Sequence, residues 1–337
     1  MIICGMRWDL HCRVIDNHGD VGVAWRLSRD LAARGEQVRL WLDDAAALGW
    51  MAPGGAPGVQ VLPWGHVPEQ IGDVVIELFG CDLPDAILQR MAARTVHPRW
   101  INLEYLSAED YVERSHGLAS PQFSGPGQGL AKHFFYPGFT ARTGGLLREP
   151  GLLEARFDEG AWLAAQGIVP CEGERLVSLF AYPQADVQRL VELLADAATL
   201  VLSCPGKYAQ PALPAKVRWQ ALPYLPQPDY DKLLRACDLN CVRGEDSFVR
   251  AQWAGKPFLW QIYFQDDGAH GPKLEAFLRH YRPDAGMQDL FRAWNGRGGW
   301  PAALPSLDPA HALAWRAQLA SQPDLTTQLH SFVAGSG

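Results

Sequence analysis

Apolar residues recur along this chain in two rhythms, short β-branched runs and longer stretches with helical spacing, and the two alternate over most of its length. Residues 8–15 form an apolar-rich run that ends in the turn-like segment Asp16-Asn17-His18-Gly19-Asp20. Helical spacing then takes over from 21 to 34, where Val21, Trp25, Leu27 and Leu31 share one broad stripe. Gly35 stands where a helix C-terminal glycine belongs, and 37–42 reads as a second strand, so the opening is a β-α-β unit. Strands are predicted at 59–63, 74–79 and 100–103, with a helix at 84–94 whose proline falls acceptably in the first turn. Such alternation predicts a parallel sheet covered on both faces.

Between about 117 and 150 the chain turns rich in glycine and proline, which predicts long loops followed by a domain boundary. A second alternating series follows, with strands at 176–182, 199–203, 217–222, 238–242 and 258–263 and helices at 186–197, 229–237 and 247–253. The tail, 309–333, reads as helical. The 337 residues exceed what one hydrophobic core usually organises, so two domains are expected. The pattern places the first over 1–155, with a C-terminal helix at about 318–337 packing back on it, and the second over 156–317. Two Rossmann-like halves joined by a linker describe the GT-B architecture, α/β domains with ligands at the carboxyl ends of their strands, facing one central cleft.

Composition narrows the chemistry. A net charge of −7 argues against a nucleic-acid binder, which needs a clustered basic surface. The seven cysteines are scattered and odd in number, which points to a reducing compartment. Cys237 and Cys241 lie four apart, but no second ligand pair follows, so buried thiols are favoured over zinc and no metal is expected. There is no signal-like leader and no run of 18 apolar residues, so a cytoplasmic protein without a membrane span is expected.

Three constellations could carry chemistry. Asp16 and Asp20 flank a glycine-containing turn at the end of the first strand, where two close carboxylates favour a general base. From spacing alone, a helix cap at Asp20 and an Asx turn at Asp16 are the commoner uses. Arg243-Gly244-Glu245-Asp246-Ser247-Phe248-Val249-Arg250 follows a buried strand and opens a helix, a place where free N–H groups and an arginine bind phosphate; an acidic cap with a salt partner fits equally well. Phe180, Tyr182, Tyr224, Gln227, Gln261 and Tyr263 gather at strand ends and in a proline-rich loop, on the edge where a nucleotide base would lie, though each alone is more often packing. There is no Walker loop, G-x-S-x-G elbow or dinucleotide fingerprint.

At these residues the sequence resembles a family. The blocks Val14-Ile15-Asp16-Asn17-His18-Gly19-Asp20, Asn102-Leu103-Glu104-Tyr105-Leu106-Ser107-Ala108-Glu109, Phe135-Tyr136-Pro137-Gly138-Phe139, Thr143-Gly144-Gly145-Leu146-Leu147-Arg148-Glu149 and residues 238–252 are similar, in order, to the elongation factor P arginine rhamnosyltransferases. The resemblance implies a GT-B fold, dTDP-β-L-rhamnose as donor, inversion at the anomeric carbon and an arginine of translation elongation factor P as acceptor. It implies Asp16 and Asp20 as acceptor-side carboxylates with Asp20 the general base, Glu245 beside them in catalysis, and Asn17 and Gly19 on the acceptor side. Arg243, Glu245, Asp246 and Ser247 would grip the diphosphate and sugar, and Phe180, Tyr182, Tyr224, Gln227 and Tyr263 would line the nucleotide pocket. It implies no cofactor and no metal. The chain departs from the family pattern at His18, where a larger aromatic is expected, and at Pro183, where an acidic residue is. The alternatives are a GT-B transferase using another nucleotide sugar and a non-catalytic binder of elongation factor P.

Overall fold

The computed structural model describes residues 5–264, 268 and 270–335, leaving Cys4 and the first residues of the chain outside. They form two compact units, one of residues 1–150 with 321–337 and one of residues 151–320. The crossovers therefore fall at 150/151 and 320/321, beside the expected 155 and 317.

The first unit begins with β1 (Arg7–Cys12), α1 (Asn17–Ala33), β2 (Gln37–Leu42), α2 (Leu48–Met51), β3 (Val59–Pro63), β4 (Val74–Leu78), α3 (Asp85–Ala92), β5 (Arg99–Leu103), α4 (Tyr111–Ser115), β6 (Ala119–Pro121) and β7 (Ala131–Phe135). Its seven strands are ordered β3-β2-β1-β4-β5-β7-β6. All neighbours run parallel except the edge pair of β6 and β7. Residues of β1, β2 and β4 are almost all buried because both faces of the sheet are covered, and polar residues among them are paired, Arg39 donating to Asp9 at 2.8 and 2.7 Å. One face packs Trp8, Leu10, Leu40 and Ile76 under Val21, Trp25, Leu27 and Leu31 of α1. The other packs Val75 and Trp100 under Ile87 and Met91 of α3.

The segment at 117–150 corrects the expectation of loops, because it holds β6 and β7. In Ala131-Lys132-His133-Phe134-Phe135 the polar centre hides the strand signal. That centre is held from outside the segment, where Lys132 Nζ donates to the fully buried Glu77 carboxylate at 2.6 Å. Burial raises the Glu77 pKa, and the hydrogen bond from Lys132 opposes that rise.

The second unit contains α5 (Glu159–Ala165), β8 (Arg175–Leu179), α6 (Val187–Leu194), β9 (Thr199–Ser203), β10 (Val217–Ala221), α7 (Gln227–Ala236), β11 (Leu239–Arg243), α8 (Asp246–Ala254), β12 (Phe258–Gln261), α9 (His270–Tyr281), α10 (Ala285–Trp294) and α11 (Pro309–Ala320). Its five strands are all parallel, ordered β10-β9-β8-β11-β12. Much of the aromatic content is used here as core. Phe248 stacks on Trp260 at 3.8 Å between centroids, Phe258 and Phe277 pack against that pair, and Tyr281, Phe291 and Trp315 extend the cluster around Phe258 and Phe277. Helices α9 and α10 lie in a stretch where the sequence pattern predicted no element.

The predicted single helical tail is two helices, because Pro323 and Asp324 interrupt it. Asp324 caps α12 (Leu325–Val333) by accepting from Thr327 N at 2.9 Å. Helix α12 belongs to the first unit, where Leu325 and Leu329 join the core. Arg34 at the end of α1 donates to Asp30, Asp324 and Thr327 at 3.0, 2.7 and 2.8 Å, which ties α12 to α1.

Candidate active site

In the first unit the strand order reverses direction between β1 and β4, and open α/β sheets bind ligands at the carboxyl ends of such strands. The chain leaves β1 through residues 13–16, a turn pinned where Val14 N donates to Asp43 at 2.9 Å. Asp20 sits in the first turn of α1 and is only 2% exposed. Its Oδ2 accepts from Ile15 N at 2.8 Å, Asp16 N at 2.9 Å and Tyr105 Oη at 3.5 Å. Burial pushes the Asp20 pKa above its ordinary 3.8 and the neighbouring Asp16 carboxylate adds to the rise, against the pull of the two amides and Tyr105. Among the described residues these hydrogen bonds all fall on Oδ2, which leaves Oδ1 to take a proton.

The two aspartates of this turn are placed differently. Asp16 occupies the N-cap position of α1, yet its side chain makes no capping bond. The Asp20 carboxylate reaches back to the amides ahead of the helix, so it both ties the turn and stands as a buried acid. A Cβ at Gly19 would lie 2.7 Å from Asp16 Oδ2, so any larger residue there displaces the Asp16 carboxylate. Asn17 opens α1, and its side chain lies outside the described residues. His18 packs edge-on against Trp50 at 5.1 Å between centroids, which shows what fills the place of a larger aromatic.

The other resemblance blocks of this unit support α1 and Asp20. Tyr105 stacks on Phe79 at 4.2 Å and so brings its hydroxyl to Asp20. Tyr105 lies inside a recognised block but received no role from sequence, and its spacing carries no signal for one. Glu149 pairs with the fully buried Arg26 at 3.5 Å and with Arg29 at 2.9 Å, which fastens the end of the 143–149 block to α1. A groove of about 580 Å³ lined by Arg7, Gln37, Gln60, Glu69 and Gln70 opens at the amino ends of β1 to β3, the opposite edge from Asp16 and Asp20.

The second unit repeats the plan, with the reversal between β8 and β11. Arg243 ends β11, and its guanidinium lies 4.3 Å over the Phe180 ring and 4.5 Å over the Tyr182 ring, just beyond the end of β8. Its Nε is buried without a hydrogen-bond partner. Gly244 then turns the chain with φ 65°, its carbonyl accepting from Trp260 Nε1 at 2.8 Å, and α8 starts at Asp246. The Ser247 hydroxyl donates to the Arg243 carbonyl. Glu245 is the N-cap of α8 and makes no side-chain cap bond, while the Asp246 carboxylate accepts from Gln227 Nε2 at 3.4 Å. The start of α8, like any helix N-terminus, presents backbone N–H groups that can bind an anion.

Gln261 ends β12, where its Oε1 accepts from Tyr182 N at 2.7 Å, and Tyr182 meets Tyr263 edge-on at 5.6 Å. Tyr182 and Gln227 are buried, whereas Tyr224 and Tyr263 are 47% and 44% exposed, so the open aromatic faces belong to the latter two. Below them Arg250 of α8 makes a bidentate pair with Asp231 of α7 at 3.0 and 2.7 Å, fixing the two helix starts that carry Asp246 and Gln227. The structure thus gathers Asp16, Gly19 and Asp20 at one switch point, and Arg243, Glu245, Asp246, Ser247, Phe180, Tyr182 and Gln227 at the other, each within its own unit.

Two α/β units, each with a polar site where its strand order reverses, have the fold of the GT-B glycosyltransferases, and solved structures bear that fold out. A spinosyn forosaminyltransferase, SpnP, superposes with TM-score 0.54 at 14% identity over 98% of this chain and 100% of its own. The chain belongs to the family described as elongation factor P rhamnosyltransferase EarP, whose model matches residues 8–334. A protein-arginine rhamnosyltransferase of Pseudomonas putida is 45% identical over 98% of this chain and 99% of its own length. Another, from Pseudomonas aeruginosa, is 41% identical over 97% and 98%. A solved structure described as the structural basis for EarP-mediated arginine glycosylation of translation elongation factor EF-P matches with TM-score 0.64 and 32% identity over 98% of this chain and 100% of its own. The chain is therefore an enzyme, a glycosyltransferase that moves a rhamnosyl group to arginine, and the reading as a non-catalytic binder falls.

Proposed function

We propose that the donor is dTDP-β-L-rhamnose, that the acceptor is an arginine of translation elongation factor P, and that transfer proceeds with inversion, without a metal, in the cytoplasm. The observation that carries this reading is the contrast of charge at the two switch points. The second unit holds Arg243, a cation with a buried unpartnered Nε laid against aromatic rings. The first holds Asp20, a buried carboxylate without a cationic partner among the described residues. A nucleoside diphosphate needs the former and a cationic nucleophile the latter. The EarP family description and the neighbour concerned with EF-P glycosylation support the choice of acceptor.

In this reading Arg243 and the first-turn N–H groups of α8 take the diphosphate charge, so metal independence follows from these donors. Glu245 and Asp246 accept sugar hydroxyls, with the Ser247 hydroxyl beside them. Phe180, Tyr182, Tyr224, Gln227 and Tyr263 hold the base. Arginine is protonated at cellular pH, so its guanidinium needs a carboxylate to localise charge and remove a proton. A guanidinium nitrogen attacks the anomeric carbon, the bond from that carbon to the diphosphate oxygen breaks, and the nitrogen's proton passes to Asp20. Asp16, Asn17 and Gly19 shape the acceptor side. One displacement inverts the carbon, and no covalent sugar–enzyme intermediate is required.

The test is incubation of the protein with dTDP-β-L-rhamnose and elongation factor P, followed by intact-mass measurement. The acceptor is expected to gain one deoxyhexosyl residue, and an unchanged mass overturns the reading. Titration of dTDP against UDP addresses the donor, since tighter binding of UDP would favour another nucleotide sugar.

A further inference from the structure

At the carboxyl ends of β8 and β9 one side chain joins the two strands. Tyr208 follows β9 in the loop Cys204-Pro205-Gly206-Lys207-Tyr208, and its hydroxyl folds back under the donor site. The O–H is shared between the Leu179 carbonyl at 2.9 Å and the Cys204 carbonyl at 2.7 Å, and the Ser203 hydroxyl donates to it at 3.3 Å. Leu179 immediately precedes Phe180, and its carbonyl also accepts from Cys204 N at 2.8 Å. The hydroxyl is thus bonded at the point where β8 delivers the ring on which Arg243 lies. Burial raises the Tyr208 pKa, with the Ser203 hydrogen bond and, less, the Arg243 guanidinium opposing part of that rise.

We propose that Tyr208 is a positioning residue of the donor site, whose hydroxyl locks the ends of β8 and β9 together so that Phe180 and Arg243 stand preorganised for the nucleotide. The inference rests on the reading of this unit as the dTDP-sugar site. Gly206 supplies an independent handle. A Cβ at Gly206 would lie 2.3 Å from Tyr208 Cε1. The residue is exposed and is absent from the glycines with positive φ, so its backbone does not demand glycine. The ring of Tyr208 is what a side chain there would displace.

Calorimetric titration with dTDP, donor kinetics and thermal melting on the full chain test this together. Tyr208→Phe keeps the ring and removes the hydroxyl; dTDP affinity is expected to fall about tenfold, as befits loss of a shared buried hydrogen bond. The donor KM should rise by a similar factor, with kcat within about twofold of the unmodified protein if only ground-state donor binding suffers. Gly206→Ala should weaken dTDP in the same way, and should have no effect on top of Tyr208→Ala, where no ring remains to displace. A Tyr208→Phe variant that melts lower but binds dTDP as tightly as the unmodified protein would make the residue merely structural and overturn the proposal. So would additive effects of Gly206→Ala and Tyr208→Ala. Should Tyr208→Phe not fold, the Gly206→Ala titration decides. Failure of the unmodified protein to bind dTDP is a different result, since it removes the donor reading itself.

Discussion

The two units share a plan and differ in the sign of the charge it presents. In each, the first strand lies beside the fourth, and the chain leaves the first strand at the edge where the order reverses. In the unit of β1 to β7 that edge carries Asp20, a buried acid whose pKa burial raises. In the unit of β8 to β12 it carries Arg243, half-buried against Phe180 and Tyr182. Topology supplies the location, and the turn that follows the strand supplies the chemistry. One edge suits a cationic nucleophile that must lose a proton, and the other an anionic leaving group that must be held.

The largest effect that can break this contrast belongs to Asp20. Asp20→Asn is expected to lower turnover by about 10³-fold, within the range for loss of a general base. Asparagine can still accept the Ile15 and Asp16 amides, so the turn survives. The pH profile sharpens the assignment. Because the folded pKa of Asp20 is raised, kcat/KM should climb with pH on an acid limb lying above 3.8, and Asp20→Asn should lose that limb. The linkage sign gives a stability corollary. The folded state holds this proton more tightly than the unfolded chain, so ionisation of Asp20 works against the fold as pH rises from 3.8 through the raised value. Asp20→Asn is therefore expected to melt no lower than the unmodified protein at neutral pH.

Arg243 comes next. Arg243→Met keeps a side chain to cover Phe180 but removes the charge, and should weaken dTDP by about 30- to 100-fold, the worth of charge-assisted hydrogen bonds to an anion. The smallest effect is at Gly19. Gly19→Ala drives a methyl group against Asp16 Oδ2, which Asp16 can relieve by turning away. It should reduce kcat/KM for the acceptor by about tenfold, the size expected for a small misplacement near the reacting atoms, and leave dTDP affinity unchanged. Acceptor kinetics and dTDP titration separate the two.

Much of the fold is legible before any coordinates, because β1, β2, β4 and their counterparts are short runs with an apolar face, such as Trp8, Leu10 and Cys12 of β1, and each is bounded by turn residues. Strand β7 is hidden because its Lys132 is satisfied by Glu77, 55 residues earlier in sequence, and local pattern carries no trace of such a pairing. The split between α11 and α12 was in view in Pro323 and Asp324, a helix stop followed by a cap, yet the continuous helical composition of the tail obscured it. The candidate site divides in the same way. Both key turns are marked by residue type and by their place after a strand. What Asp20 bonds to, how deeply Tyr182 and Gln227 are buried, and the reach of Tyr105 and Tyr208 all depend on contacts between distant segments.

The division of labour is tested most directly by one calorimetric titration of dTDP into Asp20→Asn and Arg243→Met side by side. The account requires Asp20→Asn to bind dTDP as tightly as the unmodified protein while Arg243→Met binds it far more weakly. Equal weakening in both, or full affinity in Arg243→Met, would contradict it.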